Sequence, residues 1–305
     1  MSLAYYSELN TRLSGIYSPE GVTGENDLTF FDTNFFCREL LRSMEKFSRS
    51  EAPKLNDALR EELEAYEGLV CVLRLPSVRT VGGVVKEYQR GVQNLRERFS
   101  DLCKVEDVAG WRFSKEECSL FDERRKMIFA RSRKVLHGLK KRIHTRECSS
   151  SEVLGMVKDY VYFLEDYLEI KKPSDEMNGP NRTDEDIVAS ALYECWFSEN
   201  KVGIVSYDRD VRGLLRTAVE VASSENLGRS AKGLSARVDH YPLTVYAAFE
   251  SLSGLSLGQV FSTQDIPDAR RNFRFNLGEV DKNKVFTNGV RKRLFDLGKV
   301  LNRRP

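Results

Sequence analysis

A chain of 305 residues can bury a substantial core, as one large α/β domain or two smaller ones. Charged residues make up 31% and the formal net charge is +2, so the overall balance selects no partner and a polyanion site must come from uneven placement of charge. Six scattered cysteines (Cys37, Cys71, Cys103, Cys118, Cys148 and Cys195) form no CxxC pair and no Cys/His cluster, which excludes a zinc ribbon and a disulfide framework and fits reduced thiols in a cytoplasmic setting. The opening MSLAYYSELNTRLSG lacks a signal-peptide core, and no stretch approaches the roughly eighteen apolar residues of a membrane span, so no membrane partner is expected.

Residues 1–27 are polar and turn-rich and read as a lead-in. Leu28 to Phe31 form an apolar run suited to a buried strand, and from Asn34 the spacing of Phe35, Phe36, Leu40, Leu41 and Met44 is helical, so Asp32 falls where strand hands over to helix. Residues 54–73 predict a helix ending before Pro76, and 78–81 a short strand. Gly82-Gly83 mark a turn into a helix whose first turns hold Glu87. From about 96 to 172 the pattern is helical and charged, with a capped helix start at Ser149 to Glu152. Residues 173–183 read as a loop, followed by a helix from Asp184. Val202 to Ser206 then repeat the earlier grammar, a strand followed by an acid (Asp208) and a helix. Alternating strands and helices predict an α/β fold on a mostly parallel sheet, with residues 243–249 as its last core strand and 253–305 as a basic C-terminal extension.

Two predicted strands thus deliver an aspartate at their carboxyl ends, where ligands of parallel sheets gather. Glu87 and Asp184 open helices beside them. Neighbouring strands would converge four carboxylates, whose mutual repulsion raises their proton affinity unless a cation compensates. Oxygen-only donors favour Mg²⁺ or Mn²⁺ over zinc, and such ions suit phosphodiester hydrolysis without a histidine or lysine base. The three histidines, His137, His144 and His240, lie outside every one of these positions.

These segments resemble the PIN-domain family. FFDTNFF is similar to its first motif, VVKEYQRG to the second, TDEDIVASAL to the third and IVSYDRDVRGLL to the fourth, together covering about 27–92 and 181–252. The resemblance implies a three-layer PIN-like fold over 28–252, interrupted by an insertion at about 96–172. It implies a metal-dependent endoribonuclease that leaves a 5′-phosphate, in RNA processing or decay. In that reading Asp32, Glu87, Asp184 and Asp208 are the catalytic, metal-binding acids, Glu87 as a ligand or as the orienter of a water, with Asp186 and Asp210 as substitutes or additions. Asn34 and Ser206 would support them by hydrogen bonds. About ninety residues separate Glu87 from Asp184, longer than in compact members, which the insertion accounts for.

Each acid also has an ordinary reading: Asp32 and Asp208 as helix caps, Asp184 as an acidic first turn, Glu87 as a solvated helix residue. Between Asp122 and Arg146 ten Lys/Arg stand against two acids, and from Ala222 onward fourteen against eight. The first stretch reads either as the solvated face of a helical hairpin or as an arm in which Arg124, Arg125, Arg131, Lys134, Lys140 and Arg142 guide RNA toward the carboxylates. Single-stranded RNA is the expected partner, since a recessed cleft admits one strand more easily than a duplex. The rival readings are a structure-specific DNA nuclease and a catalytically silent RNA-binding or scaffold protein.

Overall fold

The computed structural model describes residues 16–36, 52–104, 115–144, 151–168, 182–206, 208–223, 229–251, 254–265 and 280–303. Six strands form one sheet: β1 (Ile16–Tyr17), β2 (Leu28–Phe31), β3 (Val78–Arg79), β4 (Val202–Val205), β5 (Leu243–Ser251) and β6 (Gly254–Ser262), in the order β1-β6-β5-β4-β2-β3. β3, β2, β4 and β5 are mutually parallel, while β6 runs antiparallel to β5 and β1 antiparallel to β6. The fold is therefore α/β with a mostly parallel sheet.

The helices are α1 (Pro19–Glu25), α2 (Thr33–Phe36), α3 (Ala52–Val72), α4 (Gly82–Lys104), α5 (Lys115–Lys141), α6 (Glu152–Leu168), α7 (Thr183–Ser198), α8 (Arg209–Ser223), α9 (Arg229–His240) and α10 (Val280–Asn302). The β2-to-β3 connection through α3 and the β4-to-β5 connection through α8 and α9 cross the sheet in opposite directions. Right-handed crossovers put these helices on opposite faces. In keeping with that, α3 packs on α5, whereas α7 packs on α8 and α9.

Burial explains why these segments became these elements. All four residues of β4 and three of β2 are buried, as inner strands covered by helices on both faces must be. Helix α7 is buried nearly all round from Ile187 to Phe197, with Trp196 fully enclosed, so it is the central helix rather than an amphipathic surface one. Aromatic residues of α6 pack against neighbouring helices. Tyr160 is fully buried and donates to the Ala218 carbonyl at 2.7 Å, and Phe163 stacks on Phe286 of α10. Cys195 fills core space in α7, its Sγ donating to the Tyr241 carbonyl.

The structure departs from the sequence reading in several places. Gly82 and Gly83 are not a turn but the first residues of α4. The sheet does not end at 249, because β5 turns into β6, and Ile16–Tyr17 pair onto β6 from within the lead-in. In β6 Ser256, Gly258 and Gln259 interrupt the apolar run, which is why apolar patterning alone does not reveal it. The helix start expected at Ser149 to Glu152 falls at Glu152, where Ser151 Oγ accepts the Leu154 amide at 3.4 Å; Ser149 and Ser150 lie outside the described residues. Cys37, Leu40, Leu41, Met44 and the 173–181 loop also lie outside them.

The residues that follow α5 join the sheet. Thr80 donates its amide to the Arg142 carbonyl and accepts that of His144, both at 2.9 Å, a parallel bridge that covers the β3 edge. His144 is buried, and its Nε2 meets Glu194 Oε1 of α7 at 2.6 Å. Asn200 holds the other Glu194 oxygen at 2.6 Å. Burial raises the proton affinity of Glu194, and the His144 contact, with Asn200 and Ser198, more than reverses it. Among the described residues no helix is long and apolar enough to cross a membrane.

Candidate functional site

The chain order of the parallel strands reverses between β2 and β4: from β2 the chain moves outward to β3, then returns past β2 to β4 and on to β5. In open α/β sheets such a reversal opens a crevice at the strands' carboxyl ends. Asp32 stands there, one residue beyond β2. Its amide donates to the Val205 carbonyl at 3.0 Å, which extends the ladder past the strand and locks the residue against β4. Ser206 stands one residue beyond β4 and is fixed likewise, its amide donating to the Tyr246 carbonyl of β5 at 3.0 Å.

The Asp32 carboxylate is 1% exposed. One oxygen accepts the Thr33 amide at 2.6 Å; the other accepts Ser206 Oγ at 2.8 Å and Asn34 Nδ2 at 3.2 Å. Ser206 Oγ in turn accepts the Asp208 amide at 2.9 Å, and the Asp208 carboxylate accepts the Asp210 amide at 2.9 Å. The hydroxyl therefore couples Asp32 to the start of α8. Asp208 caps that helix, the ordinary role for an aspartate at that place. Thr33 Oγ1 donates to Glu87, which lies half-buried in α4.

Asp184, in the first turn of α7, completes the group. Its proximity follows from Gly83: a Cβ there would stand 3.0 Å from Thr183 Cβ, so only glycine lets the start of α4 abut the start of α7. Burial pushes the Asp32 carboxyl from its usual 3.8 up to about 7, and the Asp184 charge adds to the rise. The Ser206 and Thr33 hydrogen bonds oppose it, and Glu87 raises it further. None of the three histidines is among the groups acting on Asp32.

Of the acids singled out from the sequence, Asp184 and Glu87 thus act on Asp32, and Asp208 is linked to it through Ser206. Asp186 turns elsewhere. It pairs with Lys158 Nζ at 2.9 Å and accepts the Tyr162 hydroxyl, both from α6. Asp210 enters through its backbone amide. As the side chains stand, no three His, Cys, Asp or Glu among the described residues are grouped to hold one ion. Thr33, Asn34, Ser206 and the Asp210 amide donate to the carboxylates of Asp32, Glu87 and Asp208. Thr33 is a site residue that the sequence reading passes over, although it lies within the same Asp-Thr-Asn run; its side chain ties β2's end to α4.

The basic arm meets a different geometry from the one expected. Arg125 pairs with Asp122 at 2.9 Å, Arg131 with Glu67 at 2.7 Å, and Arg142 donates to the Leu73 and Arg74 carbonyls at 2.9 and 2.8 Å, closing the end of α3. Lys140 is exposed and Arg124 half-buried on α5. The last turn of α5 lies against residues preceding β3, at the amino end of the sheet.

Compared with protein-family models, with curated proteins and with solved structures, the chain matches none of them.

Proposed function

We propose that this protein is a divalent-metal-dependent endoribonuclease of the PIN type that hydrolyses single-stranded RNA in its processing or decay. The observation that carries the reading is the destabilised charge of Asp32 at the sheet's switch point, opposed by Asp184 and Glu87 from two other elements. A fold gains nothing in stability from gathering like charges around a buried carboxylate, and a cation relieves the repulsion. The donor set, all oxygen, fits a hard ion such as Mg²⁺ or Mn²⁺.

Asp32, Glu87, Asp184 and Asp208 would hold that ion. When bound, it supplies positive charge to a phosphodiester and acidifies water. Asn34 and Ser206 orient the Asp32 carboxylate, and Thr33 orients Glu87. With a proton affinity near neutrality, Asp32 is ready to exchange its proton for a cation at physiological pH.

The test is calorimetric titration with Mn²⁺ and Mg²⁺, with and without an uncleavable oligonucleotide, alongside cleavage of matched RNA and DNA strands. Ion uptake and RNA cleavage, both lost in Asp32→Asn, are the expected results. No uptake under either condition refutes the reading, and preferential cutting of the DNA strand moves it to a DNA nuclease.

One observation favours a second reading, a catalytically silent RNA-binding protein on the same fold: the carboxylates of Asp32, Glu87 and Asp208 are each satisfied by a local donor. In that case Asp32→Asn and Asp208→Asn leave RNA binding intact and there is no cleavage to lose.

A further inference from the structure

A groove of about 780 Å³ lies between the carboxyl ends of α3 and α5. Its lining includes Arg74, Arg133, Lys134, Lys141 and Arg142 beside His137, and among the described residues no acid lines it. Val70 and Leu73 form an aliphatic floor. At Gly138 a Cβ would come 2.9 Å from Leu73 Cδ1, so glycine lets the two helices close over that floor.

Two facts separate this groove from an ordinary solvated helix face. Arg125 and Arg131, earlier in α5, are matched by carboxylates. In the groove Arg142 is held by backbone carbonyls, and Arg74, Arg133, Lys134 and Lys141 have no ion-pair partner among the described residues. Like charges packed around a concavity without counter-charge raise the local positive potential and favour an anion. In addition, Arg133, His137 and Lys141 recur at helical spacing along about 12 Å of α5, long enough to meet more than one phosphate.

We propose that this groove is a phosphate-binding exosite that holds the sugar–phosphate backbone of single-stranded RNA at the amino end of the sheet, away from the carboxylates at the carboxyl ends. The exposed cations flank an open trough, which suits a polymer passing through it better than an enclosed small ligand. Affinity for phosphate follows from the groove alone; the choice of RNA rests on the nuclease reading.

The experiment measures fluorescence anisotropy of a labelled oligouridylate of about a dozen nucleotides, in chelator so that neither metal nor cleavage contributes, across a salt series. In the triple variant R133E/K134E/K141E affinity falls at least about tenfold. The slope of log affinity against log salt falls by about 2, near 0.7 for each phosphate that is no longer neutralised. The neutral variant R133Q/K134Q/K141Q, checked for an unchanged circular dichroism spectrum, shows a smaller decrease of the same kind. Unchanged affinity and slope in both variants overturn the proposal. So does loss of inorganic triphosphate binding with RNA binding intact, which would make the groove a small-anion site. Because chelator silences the carboxylates, metal uptake and groove binding are read separately and either can fail alone.

Discussion

The buried charge of Asp32 can be tested through stability, without any assay of activity. Between its usual 3.8 and about 7 in the fold lie some three pH units, which at about 1.4 kcal/mol each amount to ~4 kcal/mol. Because the folded value is raised, the native state binds the extra proton between these limits. The Asp32 contribution to wild-type stability is thus greatest below 3.8 and is lost as pH rises through 7. Asp32→Asn removes the ionisation but leaves a single carbonyl acceptor for Thr33, Ser206 and Asn34, a loss of about 1 kcal/mol. In chelator the variant is therefore expected to be about as stable as wild type near pH 4.5, where about 1 kcal/mol of the Asp32 contribution is already lost, and about 3 kcal/mol more stable near pH 8.5. Urea unfolding followed by circular dichroism at stepped pH measures the difference, and the comparison cancels the titrating groups that are not coupled to Asp32. Under the nuclease reading Mn²⁺ restores wild-type stability at the alkaline end by binding the native state and leaves the variant unmoved. A gap between the two proteins that stays constant over this pH range refutes the reasoning.

Two further predictions concern the neighbours. Ser206→Ala removes a donor to the ionised carboxylate and should raise the Asp32 titration midpoint by about one pH unit, read from its carboxyl carbon resonance; an unchanged or lower midpoint contradicts the hydrogen-bond account. Gly83→Ala sets a methyl against Thr183 and should cost about 1–2 kcal/mol by urea unfolding despite alanine's better helix propensity, and pairing it with Thr183→Ala recovers part of that; additive losses show that the two residues do not meet.

Local signals carried much of the architecture. The run into Asp32 and the run into Ser206 each end a strand and precede a helix, because a buried inner strand needs continuous apolar residues and its exit needs polar ones that satisfy the helix start. The parallel sheet followed from that alternation. Pairwise facts did not show. Nothing in Gly82-Gly83 distinguishes a turn from a helix start that another helix must approach closely, and nothing in TDEDIVASAL says that Asp186 faces Lys158 while Asp184 acts on Asp32. The same holds for the basic stretch. Charge density along α5 was plain, but whether Arg131 meets Glu67 or a ligand depends on how α3 lies beside it.

The bridge between Thr80 and Ile143 has a consequence for anyone trimming the protein to a minimal version. Residues 96–172 look dispensable, yet removing them would bare the hydrogen-bonding rim of β3 and invite strand addition from another molecule. It would also strand Glu194 in the interior without its imidazole neighbour. A shortened form therefore has to keep residues 142–144 as a splint along that rim, or replace Glu194 with an apolar side chain of similar volume.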